Sequence, residues 1–298
     1  MLRSTPKESI GWLIVDEAGQ AKPQEAIGAL VRSKRAMVVG DPIQIPPVVS
    51  MPENLVNSIA TFLGVDTIAY CAPAASVQSL SDDANLYMAN FRTTESIRSV
   101  GLPLLVHRRC SEPMFSIANR IAYDDQMVNA KSNKPSKIKD KLGPSRWIHI
   151  EGKGQDKWCY NEGLYVLEQC EELVRAKIEL DLYIVSPFVK VVREMRSLFR
   201  KNNILQESIP EFDEWTNKRI GTVHTVQGRE ADTVFFVLGA PYPDQYGARK
   251  WAGQSPNLLN VAVTRAKECL YIVGNRELWK TAGLFRDVIS ILDQMARN

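Results

Sequence analysis

Two carboxylates stand side by side in Gly11-Trp-Leu-Ile-Val-Asp16-Glu17-Ala-Gly-Gln20, directly after an apolar run rich in β-branched residues. If the run 10–15 pairs inside a parallel sheet buried on both faces, Asp16 and Glu17 emerge at its carboxyl end, where open α/β sheets receive ligands. There one carboxylate can hold Mg²⁺ while its neighbour orients an attacking water. A second segment, Met37-Val-Val-Gly40-Asp41-Pro-Ile-Gln44-Ile-Pro46-Pro47, repeats the plan of a strand followed by a polar turn. An Asp-Glu pair after a strand is common; the second segment lifts it above chance.

Groups at strand ends need a sheet to hold them. Short runs rich in Val and Ile predict strands over 12–15, 36–39, 104–106, 147–150, 182–185, 220–224, 233–238 and 270–273. Between them the pattern predicts helices over 23–32, 112–123, 162–178, 189–199, 256–267 and 284–295. This alternation is the mark of α/β layers around largely parallel sheets. Residues 66–102 have weak periodicity and read as a helix-poor excursion. Residues 131–142, with Lys131, Lys134, Lys137, Lys139 and Lys141, read as a basic loop, either solvated or contacting phosphate.

The bulk numbers exclude several classes. The 298 residues, 45% hydrophobic and 24% charged, suit a globular chain of one large or two ordinary domains. A net charge of +3 argues weakly for nucleic acid and not at all for a membrane. Cys71, Cys110, Cys159, Cys170 and Cys269 form no C-x-x-C pair, and His107, His149 and His224 lie far apart. Reduced thiols are therefore expected rather than disulfides or a structural metal. No apolar run approaches the roughly 18–20 residues of a membrane span. The first residues have no apolar core of a signal peptide, so a cytoplasmic location is expected.

Three more segments carry polar groups at strand or helix ends. They are Leu104-Leu-Val-His107-Arg108-Arg109-Cys110, Ile220-Gly-Thr222-Val-His224-Thr225-Val-Gln227-Gly228-Arg229-Glu230 and Asn260-Val-Ala-Val-Thr264-Arg265-Ala266-Lys267. Each alone has a plain structural explanation: surface charge at a helix start, a turn with Gly228 at positive φ, the polar face of an amphipathic helix. Their order, behind the Asp-Glu and Gly-Asp-x-x-Gln-x-Pro-Pro segments, resembles motifs II, III, IV, V and VI of superfamily 1 helicases. The Asp-Glu-Ala-x-Gln and Gln-Gly-Arg-Glu forms are most similar to the Upf1-like branch, and the resemblance runs from about Gly11 to Gly274.

That resemblance implies an α/β fold of RecA-like, P-loop NTPase-type parallel sheets flanked by helices, with ATP and Mg²⁺ as ligands and single-stranded DNA or RNA as the track. Asp16 would hold Mg²⁺, Glu17 would position water, and Gln44 would sense the γ-phosphate. Arg109 and Arg265 would meet the γ-phosphate from the second lobe, Glu230 would lie near the ribose and phosphates, and Gly228 would belong to the same nucleotide-binding turn. Thr222, His224 and Thr225 would contact the nucleic-acid backbone. Ser186-Pro187-Phe188 with Lys190 resembles the motif that follows the third core strand of the second lobe, more weakly.

One element of the family pattern is not found in these residues: Gly-x-x-x-x-Gly-Lys-Ser/Thr, whose backbone N–H groups and Lys cradle phosphates. The expectation is a partial first lobe over 1–106, whose sheet has an open edge, and a complete second lobe over 107–298. A missing N-terminal segment or a partner would supply the phosphate loop, and the chain alone would not hydrolyse ATP. The competing expectation is a non-catalytic nucleic-acid-binding or regulatory remnant; a purely structural domain and a nuclease are weaker readings.

Overall fold

The computed structural model describes residues 4–41, 43–92, 97–132, 134–226 and 228–297. Pro42 of the second motif and Gln227 of the Gln-Gly-Arg-Glu motif lie outside the described residues. The chain forms two compact units, Met1–Leu104 and Leu105–Asn298.

In the first unit, β1 (Leu13–Val15) and β2 (Ala36–Val38) pair in parallel, Leu13 opposite Ala36 and Val15 opposite Val38. The crossover is α1 (Pro23–Leu30), which starts on a proline and is tied back by Glu25 Oε2, accepting from Lys22 N at 3.2 Å. Val15 and Val38 pack on a small core of Ala18, Ala26 and Val77. The opposite face is bare: Ile14 is 69% and Met37 51% exposed. The expectation that this strand is buried on both faces does not hold, because the helical cover lies on the Val15 side and the sheet has two strands among the described residues.

Residues 66–102 are more regular than their sequence suggests. After α2 (Glu53–Leu63) come α3 (Thr67–Tyr70) and α4 (Val77–Asp83), then the antiparallel pair β3 (Ala89–Arg92) and β4 (Ile97–Val100). Two short caps make the helices: Asp66 Oδ1 accepts from Ile68 N, and Ser76 Oγ accepts from Ser79 N.

The second unit opens with β5 (Val106–His107), α5 (Met114–Ala122), β6 (Val128–Asn129), α6 (Lys137–Leu142) and β7 (Arg146–His149). It continues with β8 (Gly154–Gln155), β9 (Trp158–Cys159), α7 (Tyr160–Arg175), β10 (Leu182–Ser186), α8 (Val189–Phe199), α9 (Asn203–Ser208) and α10 (Phe212–Arg219). Then follow β11 (Ile220–Thr222), β12 (Ala231–Val237), α11 (Tyr246–Gly253), α12 (Pro256–Thr264), β13 (Ala266–Gly274), α13 (Arg276–Trp279) and α14 (Phe285–Met295). Five strands form one parallel sheet in the order β11-β10-β12-β13-β7. Every residue of β10 is buried, as are all but one in β12 and β13, so both faces of the sheet are covered.

Two sequence expectations change here. The basic loop is in part a helix: Ser136 Oγ accepts from Lys139 N and starts α6. The predicted helix 256–267 stops at Thr264, and Ala266 and Lys267 are already strand, because Ala266 pairs with Ala231 of β12.

Candidate functional site

In the first unit, Asp16 and Glu17 follow β1 directly and are exposed. Glu17 has φ 53°, a left-handed turn that ends the strand, and its N–H donates to Asp16 Oδ1 at 2.9 Å. Gln20 Nε2 donates to Glu17 Oε2 at 3.0 Å. The loop after β2 presses against this turn: Ala18 N donates to Val39 O at 3.0 Å, and a Cβ on Gly40 would lie 2.7 Å from Gly19 N. Glycine is needed there for the close approach, and it sets Asp41 beside the carboxylate turn. Asp41 in turn holds the next loop, accepting from Ile43 N at 2.9 Å and from Gln44 Nε2 at 3.1 Å. Asp16, Glu17 and Gln44 thus belong to two touching loops at one sheet end.

In the second unit, three distant segments meet at the amino-terminal ends of β12 and β13. Arg109 Nε lies 3.1 Å from Glu230 Oε2, and Lys267 Nζ 2.7 Å from Glu230 Oε1. The bond from Lys267, then the nearby charges of Lys267, Arg109 and Arg265, hold the Glu230 carboxyl below its ordinary value. All three side chains are about two-fifths exposed. His107 Nε2 accepts from Cys110 N at 2.8 Å and fixes the backbone on either side of Arg108 and Arg109. Burial and the Arg109 charge lower the His107 pKa, so the neutral acceptor form is favoured. Arg108 is exposed and has no ion pair among the described residues.

Arg265 is not the solvated face of a helix. It is 1% exposed, and Nη1 donates to Arg229 O at 2.9 Å while Nε donates to Val261 O at 3.3 Å. Its carbonyl accepts from Ala231 N at 3.0 Å, so Arg265 and Glu230 are locked into one corner. Gly228 has φ +76°, as a tight turn before Glu230 requires.

A buried cluster that no sequence spacing reveals lies beneath this corner. Lys131 Nζ meets Glu268 Oε1 at 2.5 Å with both side chains under 8% exposed, and Ser111 Oγ donates to Glu268 Oε2 at 2.7 Å. Ser111 is two residues from Arg109, and Glu268 adjoins Lys267. Lys131 is therefore a structural group and not a free phosphate contact.

Thr222, His224 and Thr225 sit elsewhere, at the carboxyl end of β11. Thr225 N and Oγ1 both donate to Thr222 O at 2.9 Å, folding a compact turn, and Val223 N donates to Ser186 O at 3.3 Å. A Cβ on Gly221 would lie 2.3 Å from Thr225 Oγ1, so the turn closes onto glycine. His224 and Thr225 are exposed, and partial burial lowers the His224 pKa, leaving an uncharged imidazole favoured.

No helix in the described residues is long and apolar enough to cross a membrane. Among the described residues no group of three or more His, Cys, Asp or Glu is gathered for a metal.

Two family models described as AAA domain match the chain, over residues 90–277 and 2–51. The chain is similar to an ATP-dependent helicase, MJ0104, of Methanocaldococcus jannaschii, 26% identical over 94% of this chain and 38% of that protein. It is also similar to the DNA replication ATP-dependent helicase/nuclease DNA2 of Gallus gallus, 26% identical over 90% of this chain and 23% of that protein. Helicase sen1 of Schizosaccharomyces pombe is 24% identical over 93% of this chain and 15% of its own length. Among solved structures, an arterivirus helicase in complex with DNA aligns with 94% of this chain and 43% of its own at 15% identity and a TM-score of 0.42. The chain thus spans well under half the length of these relatives. Since one AAA domain model covers more than half of its residues, the chain belongs to the AAA domain family, with the ordered motifs of the Upf1-like branch of superfamily 1.

Proposed function

We propose that the chain supplies the water- and metal-handling carboxylates and the phosphate-facing cations of an ATP-driven motor that moves on single-stranded DNA or RNA. The observation that carries this reading is the convergence of Arg109, Glu230 and Lys267, from three segments, beside Arg265. A guanidinium and an ammonium sharing one carboxylate present charge to which a polyphosphate can dock.

Asp16 suits Mg²⁺, which takes oxygen ligands, keeps several waters and needs only one or two carboxylates. When bound with ATP, the ion neutralises charge on the phosphates. Glu17, oriented by Gln20, is the group to align water and accept its proton. Gln44, fastened to Asp41, senses the terminal phosphate, and Arg109 and Arg265 oppose the charge that develops there. Gly228 shapes the turn that presents Glu230 to the nucleotide. Thr222, His224 and Thr225 grip the phosphates of the strand. We assign 1–106 and 107–298 to the two lobes, the first partial and the second complete. Five free cysteines, four of them buried, suit a reducing compartment such as the cytoplasm.

Because these residues contain no Gly-x-x-x-x-Gly-Lys-Ser/Thr, the chain alone is expected to bind single strands without turning over ATP. A preceding segment or a partner then brings the phosphate loop. The same feature favours the second reading, a nucleic-acid-binding remnant without motor activity.

A Mg²⁺-ATPase assay with and without single strands, run beside a strand-binding titration, tests the reading. Binding without turnover is expected. Turnover stimulated by the strand and abolished by Glu17→Gln would show that the chain is a motor unaided, and failure to bind any strand would remove the nucleic-acid assignment.

A further inference from the structure

Helix α11 presents a tryptophan to solvent on a rigid mount. Trp251 is 48% exposed, and its ring lies 6.1 Å from that of Phe188 with the planes inclined by 32°. Phe188 is buried and lies 6.4 Å from Trp279, which is fully buried and meets Phe285 edge-on at 4.7 Å. The indole thus leans on Phe188, which is itself packed on the buried Trp279.

The helix itself is fixed at its middle and at its carboxyl end. Arg249 is 2% exposed and spends its guanidinium on backbone, with Nη1 to Ala240 O at 2.8 Å and Tyr242 O at 2.6 Å, and Nη2 to Pro243 O at 2.9 Å. At the far end Leu284 N donates to Gly253 O at 2.9 Å, and a Cβ on Gly253 would lie 2.1 Å from Ala282 O. An immobile flat ring gives up little conformational entropy when another flat ring settles on it.

The position of this mount links it to the turn already assigned to the strand. Ser186 pairs with Thr222 and accepts from Val223 N, and Phe188 is two residues further on. Neighbouring strands lie roughly 4.8 Å apart, so the carboxyl ends of β11, β10 and β12 form short steps along one end of the sheet. Lys250, next to Trp251, is exposed and has no ion pair among the described residues. Lys157 Nζ stands 5.5 Å from the Phe188 ring. Acidic groups are also near, Asp156 beside Lys157 and Glu194 beside Lys190 and Arg193, which leaves Lys250, with exposed Lys153, to meet a phosphate.

We propose that Trp251 is a stacking platform for an unpaired base of a single strand that continues from the Thr222–Thr225 turn across this end of the sheet. The proposal rests on the nucleic-acid reading above and adds a base contact to its phosphate contacts.

The test is fluorescence anisotropy of the full chain with a labelled twelve-nucleotide oligo-dT and with a strand of equal length carrying abasic sites. Losing one base stack on an aromatic ring corresponds to a loss of about 5- to 100-fold in affinity. Trp251→Leu should lose that much on oligo-dT, Trp251→Phe clearly less, and the abasic strand should bind wild type and Trp251→Leu alike. Wild type should itself prefer oligo-dT to the abasic strand by a similar factor, a measurement that needs no variant to fold. Equal binding of oligo-dT by wild type and Trp251→Leu, or no preference of wild type for bases, overturns the platform and leaves the phosphate contacts standing. A wild type that binds neither strand fells the nucleic-acid reading together with the platform.

Discussion

Arg109 Nε stands 3.1 Å from Glu230 Oε2, and the other oxygen of that carboxylate is held by Lys267 at 2.7 Å. One acid therefore occupies two cations that a polyphosphate would use. Glu230→Gln is expected to raise the affinity of the chain for inorganic tripolyphosphate about two- to fivefold, the scale of exposed ion pairs. Arg109→Ala and Lys267→Ala should lower it by a similar factor, as read by titration calorimetry at low salt. The depressed Glu230 pKa keeps the bridge intact above the ordinary carboxyl value, and the bridge is lost as pH falls through the lowered one, so the ratio of wild-type to Glu230→Gln affinity should stay constant between pH 6 and 8.

Arg265 behaves differently because it is buried. Its guanidinium satisfies Arg229 O and Val261 O, and Lys in its place has no planar fork to reach both. Arg265→Lys should cost about 1–3 kcal/mol in denaturant unfolding, whereas Arg109→Ala should leave stability within about 0.5 kcal/mol.

Lys131 and Glu268 form a buried pair joined by Ser111. Removing one charge strands the other: Lys131→Met is expected to cost about 3–5 kcal/mol, and adding Glu268→Leu should recover much of that loss. Single and double variants in one unfolding series measure the coupling.

Glu162 reports on pH. It is 1% exposed in the first turn of α7, with Oε2 accepting from Gly239 N at 2.8 Å and the Cys159 thiol beside the carboxyl. Burial raises its pKa, so the folded chain favours the protonated form. Stability is then fully present below the ordinary carboxyl value and drains away as pH climbs toward the raised one. Thermal midpoints of wild type should fall between pH 5 and 8, and Glu162→Gln should flatten that slope by several degrees.

The central strands β10, β12 and β13 were readable because burial on both faces leaves a continuous run of Val, Ile, Leu, Phe and Tyr. Helix α8 was readable from Val191, Val192, Met195 and Phe199 at helical spacing. The end of α12 was not, since nothing in Val-Thr-Arg-Ala-Lys stops a helix; pairing of Ala266 with Ala231 does, and that partner is 35 residues away in sequence. The polar helix α10 escaped for a similar reason: stacking of Trp215 on Phe199 and Phe212 holds it. In the site, Asp16, Glu17 and Gln44 stand on local turns and could be found locally. Arg109 and Glu230 are joined only in space, and the Lys131–Glu268 pair bridges 137 positions, beyond the reach of any spacing rule.

Ile14 and Met37, pointing away from their small core on a two-stranded sheet, have a consequence at the bench. With Trp12 55% exposed on the same ribbon, the first unit offers adhesive surface and unpaired strand edges to any neighbour in solution. Colloidal behaviour of the purified chain will be governed there: turbidity should grow with concentration, and a lysine at position 14 or 37 should delay it.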